Sequence, residues 1–409
     1  MLEILALALA GVGLGIVTGL IPGVHVNNIT PFFVALAAGS GSLELAALIV
    51  AMSIANVFIS YIPSTFLGAP EAGTELSVLP AHRLLLEGRG YQAVRLTTWG
   101  SLGGLLLSAA LLLPFLLVVS PAYSFLQPNM HLLLIAVVAV MIFIEKSRTR
   151  IFWATLIFLM SGLLGLLALD TNVLRGDAAL MPLLSGLFGA SVLLPSIVEG
   201  SPLPEQYIED DEIPARQTMV PLCAGTTAGV VTGVIPAIGP SQGTVLAQLA
   251  TRSSGAEEFL TAVSSVNTSK TLLSFVALYA IGRARSGAAI AVGEIMEVGA
   301  SELIFLVGVA LFAGGIAAVL NLRLGKLAAR RMGAVPYRPL CASVLVLITG
   351  MVVFYSGPTG LLVFGTATVM GMLPAFFHVK RTHCMGVIML PCILYFAGVK
   401  GGAMAAIGL

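Results

Sequence analysis

Long apolar runs, cut by short polar clusters, set the rhythm of this chain. They lie at 97–120, 131–145, 151–169, 178–198, 303–320, 339–357, 359–377 and 385–399. A helix needs about 20 apolar residues to cross a bilayer, so each run predicts a membrane helix, with 131–145 short for a full crossing. The polar breaks between them include Glu145-Lys-Ser-Arg-Thr-Arg150 and the loop from Arg323 to Arg338. The chain opens on a further run, MLEILALALAGVGLGIVTGL. It lacks a basic leading segment and carries Glu3, which predicts a first membrane helix and not a cleaved signal.

Composition closes off the soluble alternatives. Hydrophobic residues make up 58% of the 409 and charged residues 10%. A soluble domain carries roughly 25% charged residues, so this chain cannot cover a water-facing surface. A soluble enzyme and a disordered scaffold are excluded. Lys+Arg number 20 against 19 Asp+Glu, with no clustered basic face of the kind nucleic acid requires. Cys223, Cys341, Cys384 and Cys392 have no CxxC pair or histidine cluster beside them. They read as small buried hydrophobes, with no disulfide framework or structural metal site. The predicted class is an all-α, multi-pass integral protein of the cell membrane.

The chain also repeats itself. Displaced by 214 positions, Gly15-Ile-Val-Thr-Gly-Leu-Ile-Pro22 falls on Gly229-Val-Val-Thr-Gly-Val-Ile-Pro236. The register continues without gaps. Thr30 meets Thr244, Ser40-Gly41 with Glu44 meets Ser254-Gly255 with Glu258, Ser60 meets Ser274, Gly68 meets Gly282 and Gly73 meets Gly287. Chance supplies one such octet among many apolar windows, but not matches sustained from Gly15 to Gly73. An internal duplication is predicted. It divides the chain into repeat 1 (1–95), connecting spans with an acidic loop (96–217), repeat 2 (218–310) and C-terminal spans (311–409).

Charge placement orients these repeats. Basic residues beside short loops mark the cytoplasmic side. They cluster as Arg83, Arg89 and Arg95, as Lys146, Arg148 and Arg150, as Arg323, Lys326, Arg330, Arg331 and Arg338, and as Lys380 with Arg381. The segment that matches 82–95 is 296–309, which holds Glu297 and Glu302 but no Lys or Arg. If basic means inside, the repeats end on opposite faces, as inverted-topology repeats do. The acidic loop from Glu199 to Arg216 falls on the cytoplasmic side of this count, and acidic residues contribute little to orientation. The expected architecture is two inverted repeats with broken or re-entrant helices and about 10–14 membrane segments.

Each repeat begins with an apolar helix interrupted by a proline-containing break, Gly19-Leu-Ile-Pro-Gly-Val-His-Val-Asn-Asn-Ile-Thr30 and Gly233-Val-Ile-Pro-Ala-Ile-Gly-Pro-Ser-Gln-Gly-Thr244. Proline removes a backbone donor and clashes with the preceding turn. In lipid such a break survives only where protein or a watery cavity satisfies the exposed backbone. The candidate substrate-binding residues of the first break are Pro22, Gly23, His25, Asn27, Asn28 and Thr30. Those of the second are Pro236, Gly239, Ser241, Gln242 and Thr244. Ser, Thr and Asn cap helices well. A half-helix starting there aims N–H groups and its positive dipole end at an anion, while the freed carbonyls suit a cation. The competing reading is a proline kink with close packing through Gly15 and Gly19.

A second polar stretch lies deeper in each repeat. Ser53, Asn56 and Ser60 share a helical face, and Ser264, Asn267, Thr268, Ser269, Lys270 and Ser274 form the matching run. Asn56, Asn267 and Lys270 join the candidate substrate ligands. An ionisable residue inside a membrane segment is a functional hypothesis by default; a lysine snorkelling to the interface is the plain alternative. Glu71, Glu75, Glu294, Glu297 and Glu302 read as loop carboxylates. Gly239-Pro-Ser-Gln-Gly243 fits the G-x-S-x-G elbow of hydrolases, but that elbow needs a preceding strand, and Asn27 stands opposite Ser241. With no HExxH, Walker loop or dinucleotide fingerprint either, no enzyme is expected.

These motifs resemble the large permease subunit of tripartite tricarboxylate transporters. The resemblance rests on Gly15-(x)3-Gly19-(x)2-Pro-Gly23, on Gly229-(x)3-Gly233-(x)2-Pro236, and on Gly68-Ala-Pro-Glu-Ala-Gly73. It continues through Leu79-Pro-Ala-His-Arg-Leu-Leu-Leu-Glu-Gly-Arg89 and the run Gly255 to Phe259, so it spans both repeats. The chain departs from the pattern at Pro236-Ala237 and at Gly282-Arg-Ala-Arg-Ser-Gly287. The resemblance implies a secondary, cation-coupled carrier for carboxylates, partnered by a small membrane subunit and an extracytoplasmic solute-binding protein.

Together these readings predict a carrier for a small organic anion, a di- or tricarboxylate, that works by alternating access. No cofactor is expected beyond a coupling ion, Na+ or H+. The expected partners are the anionic substrate, the bilayer, the two partner subunits and a second copy of the chain. A polyprenyl-phosphate type translocator and a non-transporting membrane scaffold are the alternatives.

Overall fold

A computed structural model of the chain describes residues 2–22, 26–37, 42–69, 74, 76–171, 173–174, 176–199, 204–208, 213, 215–234, 239–251, 255–284, 286–332 and 337–406. Every regular element among them is helical. In order these are α1 (Leu2–Leu20), α2 (Val26–Ala37), α3 (Leu43–Ile59), α4 (Tyr61–Phe66), α5 (Val78–Leu86), α6 (Gly90–Ala110) and α7 (Leu112–Leu126). Next come α8 (Met130–Phe143), α9 (Arg148–Asp170), α10 (Gly176–Leu184), α11 (Ser191–Glu199), α12 (Ala215–Val234) and α13 (Pro240–Thr251). The last are α14 (Ala256–Ile281), α15 (Gly287–Ile295), α16 (Ala300–Met332), α17 (Tyr337–Phe376), α18 (Gly386–Phe396) and α19 (Lys400–Ala406). A π-helical turn, Ser185–Ala190, joins α10 to α11.

Seven helices among the described residues are long and apolar enough to cross a bilayer, and eight if the bent pair Arg381–Phe396 and Lys400–Ala406 is one span. α14 has 26 residues, about 39 Å at 1.5 Å per residue. Its polar run, not its length, keeps it out of that count. α17 is broken at Gly357, whose φ of 65° and ψ of −164° no helix accommodates. The break separates 337–356 from 358–376, close to the two apolar runs at 339–357 and 359–377.

The chain forms two compact units, each discontinuous in sequence. The first comprises Met1–Leu67, Leu79–Tyr123 and Leu203–Val335. Its innermost helix is α3, in which every residue from Ala46 to Ile59 is buried. A helix apolar on all sides satisfies that position. Ser42 caps it, its hydroxyl accepting the Leu45 N–H at 3.2 Å.

Glycines fix how the helices of this unit cross. A Cβ at Gly15 would lie 2.5 Å from the Met52 oxygen and 2.7 Å from Ala55 Cβ; one at Gly19 would lie 2.9 Å from Ile59 Cβ. Positions therefore rise together along α1 and α3, and the two run parallel. The same holds for α12 and α14, where Gly225 meets Ala262, Gly229 meets Val266 and Ser269, and Gly233 meets Leu273. A parallel pair joined by a short helix requires that helix to carry the chain back. α2 thus carries the chain back between α1 and α3, and α13 does so between α12 and α14.

α6 lies along α14 in the same direction. Gly100 abuts Thr261 and Ser264, Gly104 abuts Ser265, and Ser269 Oγ donates to the Gly104 oxygen at 3.2 Å. The polar segment Pro204–Ile208 straps the α5–α6 turn. Gln206 accepts the Gly90 N–H at 3.0 Å and donates to the Leu85 oxygen at 3.1 Å, and Tyr207 N–H donates to Gly88.

The second unit comprises Gly68–Val78, Ser124–Pro202 and Pro336–Leu409. Gly165 and Gly386 bring α9 and α18 to backbone contact, and Gly371 does the same for α17 against the π turn. Trp153 stacks on Phe377 at 3.5 Å. Glu145, after α8, binds the Lys380 N–H at 3.0 Å and His383 Nε2 at 3.0 Å. Asp170 pairs with Lys400 at 2.6 Å.

Candidate functional site

Polar side chains lie on the helices that flank both breaks, α1 with α3 and α12 with α14. α1 ends at Leu20, Pro22 follows it buried, and α2 opens at Val26. Thr18 donates to the Gly15 oxygen at 3.1 Å, and Asn56 Nδ2 reaches across from α3 to donate to Thr18 Oγ1 at 3.1 Å. The end of α1 is thereby pinned to α3 next to the break. In the second half Thr232 likewise donates to the Gly229 oxygen, at 3.2 Å. The residue matching Asn56 is Lys270, partly buried, with its Cα 3.9 Å from a Cβ placed on Gly233. Sequence inspection passed over Thr18 and Thr232, although both stand inside the matched octets.

The offset of 214 that relates the sequences relates these contacts too. Gly11, Gly15 and Gly19 meet Leu48, Met52 and Ile59; Gly225, Gly229 and Gly233 meet Ala262, Val266 and Leu273. The second arms differ. α13 folds back along α12, where a Cβ on Gly243 would sit 2.9 Å from Thr232 Cγ2 and 2.9 Å from Val266 Cγ1. α2 makes almost no contact with α1 and packs instead on α15 and α3.

α14 is buried despite its polarity because its hydroxyls find backbone acceptors. Ser264 donates to the Leu260 oxygen at 2.8 Å, Thr268 to Ser264 at 3.1 Å and Thr271 to Asn267 at 2.8 Å. Ser265 bonds the Leu222 oxygen at 2.9 Å and Thr226 Oγ1 at 2.8 Å. Ser274 bonds Ser286 at 2.8 Å. Small hydroxylated residues used this way let membrane helices approach closely. Most of the polar stretch on α14 is therefore packing and not a ligand-facing surface.

Of the expected site residues, Thr30 and Thr244 are buried on the second arms; Thr244 Oγ1 donates to the Pro240 oxygen at 2.7 Å. Gly239 precedes α13, and its carbonyl accepts the Gly243 N–H at 3.1 Å. Asn56 is committed to Thr18. Asn267, 7% exposed, has no hydrogen-bond partner among the described residues. Gly23, His25 and Pro236 lie outside the described residues, and so do the side chains of Asn27, Asn28, Ser241 and Gln242. A helix, not a strand, leads to the Gly239–Gly243 run.

Comparison with known proteins adds the family. The description "Tripartite tricarboxylate transporter TctA family" matches residues 5–386. An uncharacterized protein of Methanocaldococcus jannaschii is 27% identical over 405 residues, 97% of this chain and 99% of its own length. No solved structure matches. With the match running through both halves of the fold and seven helices able to span a bilayer, this multi-pass integral membrane protein belongs to the tripartite tricarboxylate transporter TctA family.

Proposed function

We propose that the protein is a secondary-active carrier for a small organic anion, a di- or tricarboxylate, working by alternating access with cation coupling. The observation that carries this reading is one motif in two packings. Both halves build the same first-arm contacts at an offset of 214. In one half the second arm lies on its own first arm, and in the other it lies on α15 of the opposite half. Inverted repeats alternate access by motion of one repeat against the other around a midplane site, and two packings of one arm are what such a motion would interconvert.

Inversion has its own support. α6 and α16 each follow the last matched helix of a repeat, and Val94, Thr98 and Leu105 meet Gly325, Asn321 and Gly314 in reverse order. Equivalent helices thus run antiparallel. The anion would be held beside the breaks by helix N–H groups and by Asn and Ser or Thr side chains, with Lys270 as countercharge. The freed carbonyls would hold the coupling ion, Na+ or H+. Family membership favours a small membrane subunit and an extracytoplasmic solute-binding protein as partners.

The test is uptake by the purified full chain in liposomes, against a panel of carboxylates, with and without sodium and proton gradients. Gradient-driven uptake of a di- or tricarboxylate is expected, as is its loss in a folded Pro22→Ala/Pro236→Ala variant. Full transport by that variant would remove the breaks from the mechanism. Absence of uptake across the panel would remove the carboxylate.

A further inference from the structure

Two polar side chains on the central helices of the first unit stand apart from the rest. On α3, Asn56 is bonded to Thr18, and just past its end Ser60 donates to the Val57 oxygen at 3.4 Å. On α14, Thr261, Ser264, Ser265, Thr268, Ser269, Thr271 and Ser274 all have acceptors. Ser53 on α3 and Asn267 on α14 have no hydrogen-bond partner among the described residues, and each is 7% exposed. Leaving a buried hydroxyl or amide unpaired is costly, so a fold rarely keeps one without use. Among the buried hydroxyls and amides of α3 and α14 these two are left, and they occupy one position of the duplication: 53 and 267 are 214 apart.

Their setting suits a ligand. Ser101 and Ser108 of α6 also lack partners, but both are wholly enclosed and nothing can reach them. Ser53 and Asn267 retain exposure. Met52 and Val266, one residue earlier, are the contacts of Gly15 and Gly229, so each unpaired group sits beside the arm that leads into a break. Val266 also touches Gly243 in the first turn of α13. The two groups share a level of the unit, since Ile54 and Leu105 both meet Gly314 while Ser269 bonds Gly104 next door.

We propose that Ser53 and Asn267 are a paired set of substrate contacts, one from each repeat, that reads an unsymmetrical anion. Asn267, with Lys270 three residues on, receives a carboxylate. Ser53, whose corresponding neighbour is the uncharged and committed Asn56, receives a second polar group, a hydroxyl or a further carboxyl. The inference rests on the carboxylate-carrier reading for the nature of the ligand, but the accessibility of the pair does not. It ranks Ser53 above the hydroxyls of α14, which the packing consumes.

The test uses the full chain in liposomes with its four native cysteines replaced. Ser53→Cys and Asn267→Cys should react with a small, anionic, membrane-impermeant thiol reagent, while Thr268→Cys, bonded and fully buried in the parent, should not. Citrate or malate should slow both reactions. In the native-cysteine protein, Ser53→Ala should raise KM about tenfold for malate, as loss of one bond to a charged or polar group does, and leave KM for a matched monocarboxylate unchanged. Asn267→Ala should raise KM for both, and Ser53→Thr should restore malate. Labelling no faster than at Thr268→Cys overturns the proposal, as does labelling that no carboxylate slows in a protein that transports one. If wild type carries no carboxylate yet inorganic phosphate protects both cysteines, the pair stands and the carboxylate reading falls. Protection by neither overturns the pair as well.

Discussion

A methyl group at position 15 has nowhere to go. Its carbon would lie 2.5 Å from the Met52 oxygen and 3.1 Å from the Asn56 nitrogen, both backbone atoms that cannot yield. Two positions earlier on the same helix, Gly13 faces open space with nothing within 4 Å. Gly15→Ala should therefore destabilise the protein by about 1–3 kcal/mol, the usual penalty for overpacking. Gly13→Ala should be neutral or stabilising by up to about 1 kcal/mol through helix propensity. Thermal unfolding in detergent separates the two, and equal effects would refute close α1–α3 contact. His82 on α5 supplies a second residue-scale outcome. It is buried, and burial pushes its pKa below the ordinary 6.5. The unfolded chain therefore binds the proton more tightly than the folded one. Stability from this group is complete above pH 6.5 and is lost as the pH falls below it, by up to about 1.4 kcal/mol per pH unit. A melting curve followed from pH 7.5 to 5 should show the decline, and His82→Gln should flatten it.

At the scale of the element, most apolar runs and the repeat are legible in the sequence because each is a local pattern or its recurrence, but the run 97–120 is divided between α6 and α7, and 112–143 forms one candidate span. What the breaks do is not legible there. A proline after Gly19 is equally consistent with a kink and with a reversal, and only the contacts of Gly15 with Met52 and of Gly19 with Ile59 decide for the reversal. Within the polar run on α14, sequence alone does not separate packing groups from candidate ligands. Its hydroxyls look alike in sequence, yet most are bonded to carbonyls of their own or a neighbouring helix, and those bonds depend on helices that lie far off in the chain. The pair Glu145–His383 was invisible for the same reason, being 238 residues apart. Both side chains are almost wholly buried, so removal of one strands the other. Glu145→Ala should lower stability by about 1–3 kcal/mol, the cost of leaving a buried hydrogen-bonding group unpaired, and Glu145→Ala/His383→Ala by less than the sum of the single changes. Additivity in that cycle would mean that the two groups do not interact. At Gly357 the backbone occupies a region open essentially to glycine alone, so Gly357→Ala should cost about 1–3 kcal/mol.

For the whole molecule, the duplication matters through the direction in which each half enters the membrane. Arg89 pairs with Glu257, which sets the start of α14 beside the basic 83–95 segment. Positive residues favour the cytoplasm, so α14 is expected to start on that side. α6 runs with α14 and against α16, the helix in the like place after the second repeat. If the halves are inverted, α3, the counterpart of α14, must start on the far side. Single cysteines at the two caps read this out in a background without native cysteines. Gly255→Cys should react with an impermeant thiol reagent only from the cytoplasmic face, and Ser42→Cys only from the opposite face. Thr98→Cys/Asn321→Cys, whose parent side chains meet at 2.8 Å, should join through a short bis-thiol crosslinker, whereas Val94→Cys/Gly314→Cys, a pair only a parallel crossing would bring together, should not. Labelling of both caps from one face would leave the repeats parallel. The two packings of α2 and α13 would then have no symmetry along which to exchange, and alternating access would have to be sought in motion of another kind.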